Sequence, residues 1–279
     1  MEKIISVKNF SKNYGKVEAV KNISFDVEKG EIVGFVGKNG AGKSTTIRCM
    51  TNMLFPSSGS ISILNMDSVH DAKEIKKRLS YMPSETEFYA SITSNDLFKF
   101  SSKLSDGAYE KARELAKYFE LDINKKISNL SLGNRKKVAV IIALMKKSDI
   151  IILDEPTSGL DPLMQNKFFD LMKKEAEKGC TIFLSSHNLT EIDKYCDRAL
   201  IIKDGVIVDD LDMNTVKLNM HQMVSFKTSD GKEETFEFDG NINELVKDLS
   251  DKNLQYLEIK NKSVEDEFID YYVREENHE

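Results

Sequence analysis

Tryptophan is absent from this chain of 279 residues, and proline and cysteine are scarce, at four and three residues. The cysteines Cys49, Cys180 and Cys196 are odd in number and lie far apart in the sequence. That spacing excludes both a zinc motif and the even framework of a disulfide-rich secreted domain. We therefore expect a reducing, cytosolic environment and interpret each cysteine as a small apolar core residue.

Long hydrophobic segments are also missing. The longest apolar run spans residues 138–145, far fewer than the ~20 residues that a membrane-spanning helix needs. The N-terminus lacks the apolar stretch and small-residue cleavage pattern of a secretion signal. We therefore expect that the chain does not cross a membrane itself.

Positive charge is not in excess, because 40 lysines and arginines stand against 46 acidic residues and the net charge is −6. Nucleic-acid binding depends on basic side chains that neutralise phosphates, so this balance argues against nucleic acid as the main partner. The length suits one large domain, or one and a half.

What the sequence does contain is a glycine-rich segment, GKNGAGKS at residues 37–44, that matches the phosphate-binding pattern G-x-x-x-x-G-K-[ST] at every fixed position. The apolar run 32–36 before it predicts a buried strand, and residues 44–54 after it predict a helix. In such a loop, backbone N–H groups and the helix N-terminus face the phosphates of a nucleotide. A glycine-rich surface turn is the alternative, and these flanking elements disfavour it.

Within this loop, Lys43 is expected to reach the β- and γ-phosphates, and Ser44 is expected to ligate Mg²⁺. The residues of the segment that we expect to contact the nucleotide are Gly37, Asn39, Gly40, Ala41, Gly42, Lys43, Ser44 and Thr45.

A second element is the apolar run 150–153, which predicts a central parallel strand and ends in Asp154 and Glu155. Side chains alternate along a strand, so the two carboxylates should point to different sides of a site. One of them can hold Mg²⁺, usually through water, while the other orients and deprotonates an attacking water. Two exposed acids at a strand end are the alternative.

Two further elements are candidate contacts for anions. Ser131 and Gly133 open a predicted helix, where a hydroxyl and a bare backbone offer a second anion site. One nucleotide per chain does not need that site unless it completes the site of a second subunit. His187 ends the strand predicted at 181–186, where it is placed to contact a γ-phosphate, although a lone histidine is more often structural.

The remaining hydrophobic patterns divide the chain into regions of predicted strands and helices. Short strands are predicted before residue 30, amphipathic helices from about residue 84 to 148, and a strand–helix–strand unit with its helix at 162–178. After residue 213 come a hairpin at Asp230-Gly231, a short helix from Ile242, a strand around Leu257 and a last helix opened by Ser263.

These motifs, in the order in which they occur, resemble those of a known protein family. The sequence contains an upstream aromatic residue (Tyr14), Walker A (37–44), a signature segment (130–134), Walker B (150–155), a D-loop (158–161) and the switch histidine His187. Over roughly residues 2–213 the chain resembles the nucleotide-binding subunit of ABC transporters. The implied fold is α/β: a P-loop NTPase with a RecA-like core, an antiparallel β subdomain and a helical subdomain inserted at about 84–148. Residues 214–279 would form a small α+β appendage.

The resemblance also implies roles. Glu155, His187 and Lys43 would be catalytic, and Ser44 and Asp154 would hold Mg²⁺ with ATP. Tyr14 would stack on adenine, an aromatic face being sufficient for that contact. The remaining nucleotide contacts would be Ser131, Gly133 and Asp161.

Partners follow from the same resemblance. Two ATPase subunits, identical or related, would pair head to tail, so that Ser131 and Gly133 act on the ATP of the other subunit. A separate polytopic permease would hold the pair at the cytoplasmic face of the cell membrane, and nucleic acid would not be a partner. The segment 263–272 looks like the extension of ABC-2-type exporters of drugs, bacteriocins or antimicrobial peptides, with a generic dimer-stabilising cap as the alternative.

Three positions depart from the family pattern. Leu132 and Asn134 replace a glycine and the glutamine of the usual signature, and Ser84 stands where a loop glutamine is usual. Two other functions stay open: a non-transport ABC ATPase acting on ribosomes or nucleic acid, and an inactive regulatory partner. A single nucleotide domain and the net acidity argue against the first, and the presence of Lys43, Glu155 and His187 argues against the second.

Overall fold

The structure, a computed structural model, describes residues 2–104, 109–218, 222–250 and 252–261. The chain divides into two units, Met1–Leu211 and Asp212–Glu279. The last helix predicted from Ser263, which would contain Phe268 and Tyr272, lies outside the described residues.

The chain contains both strands and helices along its length. The strands are β1 (Lys3–Tyr14), β2 (Val17–Glu28), β3 (Ile32–Val36), β4 (Ser58–Ile63), β5 (Met66–Asp67), β6 (Leu79–Met82), β7 (Ile150–Asp154), β8 (Thr181–Ser186), β9 (Arg198–Lys203), β10 (Val206–Asp212), β11 (Gln222–Thr228), β12 (Glu233–Phe238) and β13 (Leu254–Asn261). The α-helices are α1 (Lys43–Met50), α2 (Ala72–Arg78), α3 (Ser94–Leu104), α4 (Tyr109–Tyr118), α5 (Leu132–Met145), α6 (Pro162–Glu177), α7 (Leu189–Tyr195), α8 (Met213–Leu218) and α9 (Ile242–Ser250), with a 3₁₀ turn at Ile127–Asn129.

A six-stranded sheet in the order β10-β9-β3-β8-β7-β6 forms the centre of the first unit. The pairs β3–β8, β3–β9, β7–β8 and β6–β7 are parallel. Every residue of β3, β7 and β8 is buried, as expected for apolar strands covered on both faces. The strand–helix–strand unit predicted around 162–178 is confirmed as β7, α6 and β8.

A four-stranded antiparallel sheet, β2-β1-β4-β5, packs against this central sheet. Aromatic rings join the two layers: Phe25 of β2 stacks on Phe183 of β8 with centroids 5.8 Å apart, and it also lies 6.0 Å from Phe35 of β3. The predicted α/β fold, a P-loop NTPase core with an antiparallel β layer, is confirmed.

Helices α3, α4 and α5, which follow β6 and precede β7 in the chain, pack on one another. The apolar run 138–145 lies within α5, where nearly all of its side chains are buried, so it is a core helix. Leu97 and Phe98 are also buried, but Phe100 is 59% exposed. Phe100 lies on the face opposite Phe98, because two positions along a helix turn a side chain by more than half a turn.

In the second unit, strands in the order β12-β11-β13 form an antiparallel sheet. Val224 and Phe226 of β11 pack with Leu245 and Leu249 of α9 in a small core. The predicted hairpin at Asp230-Gly231 is the β11–β12 connection.

Candidate nucleotide-binding and hydrolysis site

The phosphate loop connects buried β3 to α1, which begins at Lys43. Gly40 and Gly42 adopt φ angles of +88° and +110°, in the left-handed region that favours glycine. At Gly42 an added Cβ would also stand 2.8 Å from the carbonyl oxygen of Ala19. Gly42 caps α1 without a side-chain hydrogen bond, so the helix N-terminus faces the loop directly.

A cavity of about 440 Å³ opens beside this loop. It is lined by Ala19, Lys38, Asn39, Gly40, Gly42, Lys43, Ser44, Thr45, Ser84, Glu85, Glu155, Ser158 and His187. The structure therefore brings most of the predicted phosphate loop together with Glu155 and His187, which lie more than a hundred residues further along the chain. Sequence reasoning did not assign Ala19, Lys38 or Ser158 to this wall.

Lys43 is only 5% exposed although it carries a charge. Its Nζ donates to the carbonyl oxygens of Gly37 at 2.5 Å and Lys38 at 3.3 Å. The same Nζ lies 3.3 Å from Glu155 Oε1, in an ion pair that lacks hydrogen-bond geometry. The loop thus holds the partly desolvated ammonium group of Lys43 at the place where phosphates would bind.

Asp154, the last residue of β7, is fully buried. Its Oδ1 accepts a hydrogen bond of 2.6 Å from Ser185 Oγ, whereas Oδ2 has no hydrogen-bond partner among the residues that the structure describes. A buried carboxylate oxygen without a partner is costly, and a cation nearby would satisfy it. The donor set therefore fits Mg²⁺, a cation that binds through one or two carboxylates together with phosphates and water. No cluster of three His, Cys, Asp or Glu in the described ranges could hold an ion unaided.

Glu155 has a φ of +49°, in the left-handed region that non-glycine residues seldom adopt. Glu155 follows directly after β7, and with this backbone conformation its side chain lies in the cavity wall. There Oε2 lies 2.8 Å from Nδ1 of His187, while Oε1 faces Lys43. Backbone strain at a site of this kind is commonly functional.

His187 follows β8, and its side chain is 58% exposed. Because β7 and β8 are parallel neighbours, the residues that follow them reach the same edge of the sheet. Of the two ring nitrogens, Nδ1 faces Glu155, which leaves the other free to turn toward a ligand in the cavity.

The remaining predicted contacts lie outside the cavity wall of this chain. Ser131 caps α5 and accepts a hydrogen bond of 3.3 Å from the Asn134 N–H, while Asp161 caps α6 and accepts from the Met164 N–H at 3.0 Å. Gly133 lies so close to the D-loop that an added Cβ would stand 2.9 Å from the Gly159 carbonyl oxygen. Tyr14, at the end of β1, is 46% exposed. Their contacts with a nucleotide stay predictions.

Two buried charges near the site were not predicted. Lys136 of α5 is 8% exposed and donates to the carbonyl oxygen of Ser84 at 3.0 Å, and burial lowers the pKa of its ammonium. Glu191 of α7 is buried and accepts a 2.7 Å hydrogen bond from Thr157, and burial raises the pKa of its carboxyl. The spacing Asn188 to Glu191 is that of a capping box, a pattern that predicts a helix start and says nothing of burial.

Comparison with known proteins agrees with this geometry. A family model described as ABC transporter matches residues 20–158. The bacitracin transport ATP-binding protein BcrA of Bacillus licheniformis is 32% identical over 235 residues, covering 82% of this chain and 76% of that protein. The linearmycin resistance ATP-binding protein LnrL of Bacillus subtilis (strain 168) is 34% identical over 211 residues, covering 74% of this chain and 68% of that protein.

Solved structures are similar as well. The ATP-binding subunit of an ABC transporter superposes with a TM-score of 0.71 at 28% identity, covering 77% of this chain and 92% of that one. The dimeric, post-hydrolysis ATP-binding cassette MJ0796, bound to ADP and Pi, has a TM-score of 0.69 at 26% identity, covering 75% and 99%. Within the described part of this chain, no helix combines the length and the apolar character needed to cross a bilayer.

Proposed function

Because the chain belongs to the ATP-binding subunits of ABC transporters and is an ATPase, we propose that it powers export of a drug or peptide through a separate permease. The observation that supports hydrolysis is the position of Glu155 between Lys43 and His187, next in sequence to buried Asp154, whose Oδ2 has no hydrogen-bond partner among the described residues. The export part of the proposal rests on the similarity to antibiotic transport and resistance subunits. A non-transport ATPase is disfavoured, because the similar proteins include antibiotic transport and resistance subunits.

In this mechanism, Lys43 exchanges its contacts with loop carbonyls and Glu155 for the β- and γ-phosphates of ATP. Ser44 and Asp154 would hold Mg²⁺, which would neutralise phosphate charge. Once Lys43 has turned to the phosphates, Glu155 Oε1 is available to accept the proton of an attacking water. His187 keeps Glu155 oriented through Oε2 and lies near the γ-phosphate. Tyr14, being exposed, stacks on adenine.

A second copy or a related subunit completes the site. Ser131, Gly133 and Asp161 lie outside the cavity wall of their own chain, at or beside the N-termini of α5 and α6, which favour anions. We assign them to the ATP of the opposite subunit. The dimeric cassette with ADP and Pi supports such pairing.

The Ser131→Arg variant tests this pairing. We expect nucleotide binding by the isolated subunit to stay within about twofold of wild type, whereas ATP turnover falls more than about tenfold because the arginine blocks the opposing site. Binding is followed with a fluorescent nucleotide and turnover by phosphate release. Intact turnover would rule out a role for Ser131 across a dimer.

We assign residues 1–213 to the nucleotide-binding domain and 214–279 to the α+β appendage, with helices at about 84–148 as the part that meets the permease. Phe100 and Leu104, four residues apart on α3, are 59% and 75% exposed. Residues at this spacing share a helix face, so α3 presents an apolar edge to a partner. This contact would place the subunit at the cytoplasmic face of the membrane.

Recovery of partners tests the export assignment. Tagged Glu155→Gln protein is incubated with ATP and native membranes, which are then gently solubilised, and the bound proteins are identified. We expect a polytopic permease, and we expect a Phe100→Ser variant to recover less of it while its basal ATPase activity is unchanged. Ribosomal or DNA-associated proteins, with no permease, would overturn the assignment.

A further inference from the structure

Ser185 is a fully buried residue of β8 that contacts both acidic residues of the site. It stands opposite Asp154 in the parallel register of β7 and β8. Its Oγ donates to Asp154 Oδ1 at 2.6 Å and accepts from the backbone N–H of Glu155 at 2.9 Å. One hydroxyl therefore joins two successive residues to which different roles are assigned above.

The direction of these two bonds follows from the chemistry of the groups. An ionised carboxylate only accepts and a backbone N–H only donates, so the hydroxyl hydrogen must point to Asp154 and a lone pair to Glu155. A valine or alanine at this position would leave both a buried carboxylate oxygen and a buried N–H without a partner. A hydroxyl is thus specifically suited to this place.

Each bond has a consequence for the site. The bond to Oδ1 restricts the rotation of the Asp154 carboxylate and leaves Oδ2, which has no hydrogen-bond partner among the described residues, as the oxygen available to a cation. The bond from the Glu155 N–H anchors the residue whose φ is +49°, a conformation that persists only when its surroundings hold it. The orientation of the Asp154 carboxylate and the backbone position of Glu155 thus depend on the same side chain.

We propose that Ser185 is a positioning residue that sets the geometry of both the cation-binding oxygen of Asp154 and the catalytic carboxylate of Glu155. This inference rests on the proposed roles of those two residues. It predicts that loss of the hydroxyl weakens binding of the divalent cation and slows turnover, while affinity for the nucleotide itself is largely kept.

The test compares Ser185→Ala with Ser80→Ala. Ser80 of β6 is also a buried serine of the central sheet, and its hydroxyl lies 2.7 Å from Ser148 Oγ, outside the cavity wall. For Ser185→Ala we expect kcat to fall at least about tenfold with KM for ATP within about threefold. Ser80→Ala should keep kcat within about twofold. Ser185→Thr, which restores the hydroxyl, should have a kcat at least about threefold higher than that of Ser185→Ala. It also provides a variant to measure if the alanine variant does not fold.

A second readout does not depend on turnover. In a Glu155→Gln background with ATP, bound Mn²⁺ is counted by electron paramagnetic resonance with and without Ser185→Ala. We expect the Mn²⁺ dissociation constant to rise about fivefold with Ser185→Ala and to stay unchanged with Ser80→Ala.

Unchanged Mn²⁺ affinity together with a wild-type kcat in Ser185→Ala would overturn the inference. Equal losses in Ser185→Ala and Ser80→Ala, tracking their melting temperatures, would also overturn it, because a merely structural role would explain both. Wild-type turnover by Glu155→Gln would instead refute the proposed role of Glu155, and the Mn²⁺ measurement would still decide whether Ser185 orients Asp154.

Discussion

Replacing Glu155 by glutamine removes the proposed base while leaving the shape of the side chain unchanged. A glutamine oxygen can still face His187, so the contact at 2.8 Å has a replacement. General base catalysis contributes roughly 10²–10⁴-fold to a rate. At 1.36 kcal/mol per factor of ten, the barrier should rise by about 3–5 kcal/mol. We therefore expect ATP turnover to fall by at least two orders of magnitude.

The same substitution changes the environment of Lys43, which is 5% exposed and loses its ion pair of 3.3 Å. Removing one member of a fully buried pair costs about 3–5 kcal/mol, and an exposed pair contributes at most about 1 kcal/mol. Lys43 keeps two carbonyl acceptors and borders an open cavity, so we expect the lower figure. The melting temperature without nucleotide should fall by about 2–4 °C.

Glu175→Gln is the matched control. The Glu175 side chain is as exposed as that of Glu155, at 15%, and it also pairs with a lysine, Lys178 at 3.1 Å, but it lies on α6 outside the cavity wall. We expect this variant to keep wild-type turnover. Phosphate release and thermal melting, each with and without ATP, provide the comparison. A Glu155→Gln protein that hydrolyses ATP at the wild-type rate would refute the assignment of Glu155 as the base.

Two further predictions concern stability. Gly59 has a φ of +78°, and a Cβ there would stand 2.2 Å from the backbone oxygen of Asn9, so Gly59→Ala should destabilise the protein by about 2–4 kcal/mol in urea unfolding. Gly231 has a φ of +91°, and no described atom lies within 4 Å of a Cβ added there, so Gly231→Ala should lose only about 1–2 kcal/mol. Equal losses in the two variants would show that the contact with Asn9 does not matter. Burial raises the pKa of Glu191 above its ordinary value of 4.5. The ionised carboxylate therefore lowers the free energy of unfolding when the pH exceeds the raised pKa. This destabilisation vanishes below pH 4.5, where the carboxyl is protonated in both the folded and the unfolded chain. Glu191→Gln should therefore melt at a higher temperature than wild type at pH 8 and not at pH 4, and a gain of equal size at both values would contradict burial of the charge as its cause.

Much of the fold and of the site was predictable because the signals are local. Residues 37–44 carry a loop pattern whose glycines are required by the backbone itself, as the positive φ angles of Gly40 and Gly42 show. The run 150–153 is apolar at every position, and such a strand has few alternatives to the centre of a parallel sheet. The resemblance to ABC transporter subunits is confirmed by the family match and the relatives.

Other features could not be predicted because they depend on distant residues. Helix periodicity places Phe98 and Phe100 on opposite faces of α3, but only the packing of α3 against its neighbours decides which of the two faces solvent. Lys136 and Glu191 carry charges that sequence patterns place at the surface, but the protein buries them against Ser84 and Thr157. Burial of a charged residue requires a partner, and a single sequence does not show which partner that will be.

By itself, therefore, the sequence determined the phosphate loop, the acidic end of β7 and the order of the motifs, because each depends on conformational preferences or alternation over a few residues. Only the tertiary structure decided which oxygen of Asp154 lacks a partner, that Glu155 lies between Lys43 and His187, and that Ser185 contacts both acids. These facts depend on the register between β7 and β8, which lie about thirty residues apart in the chain. Register follows from the packing of whole sheets, so no short segment encodes it.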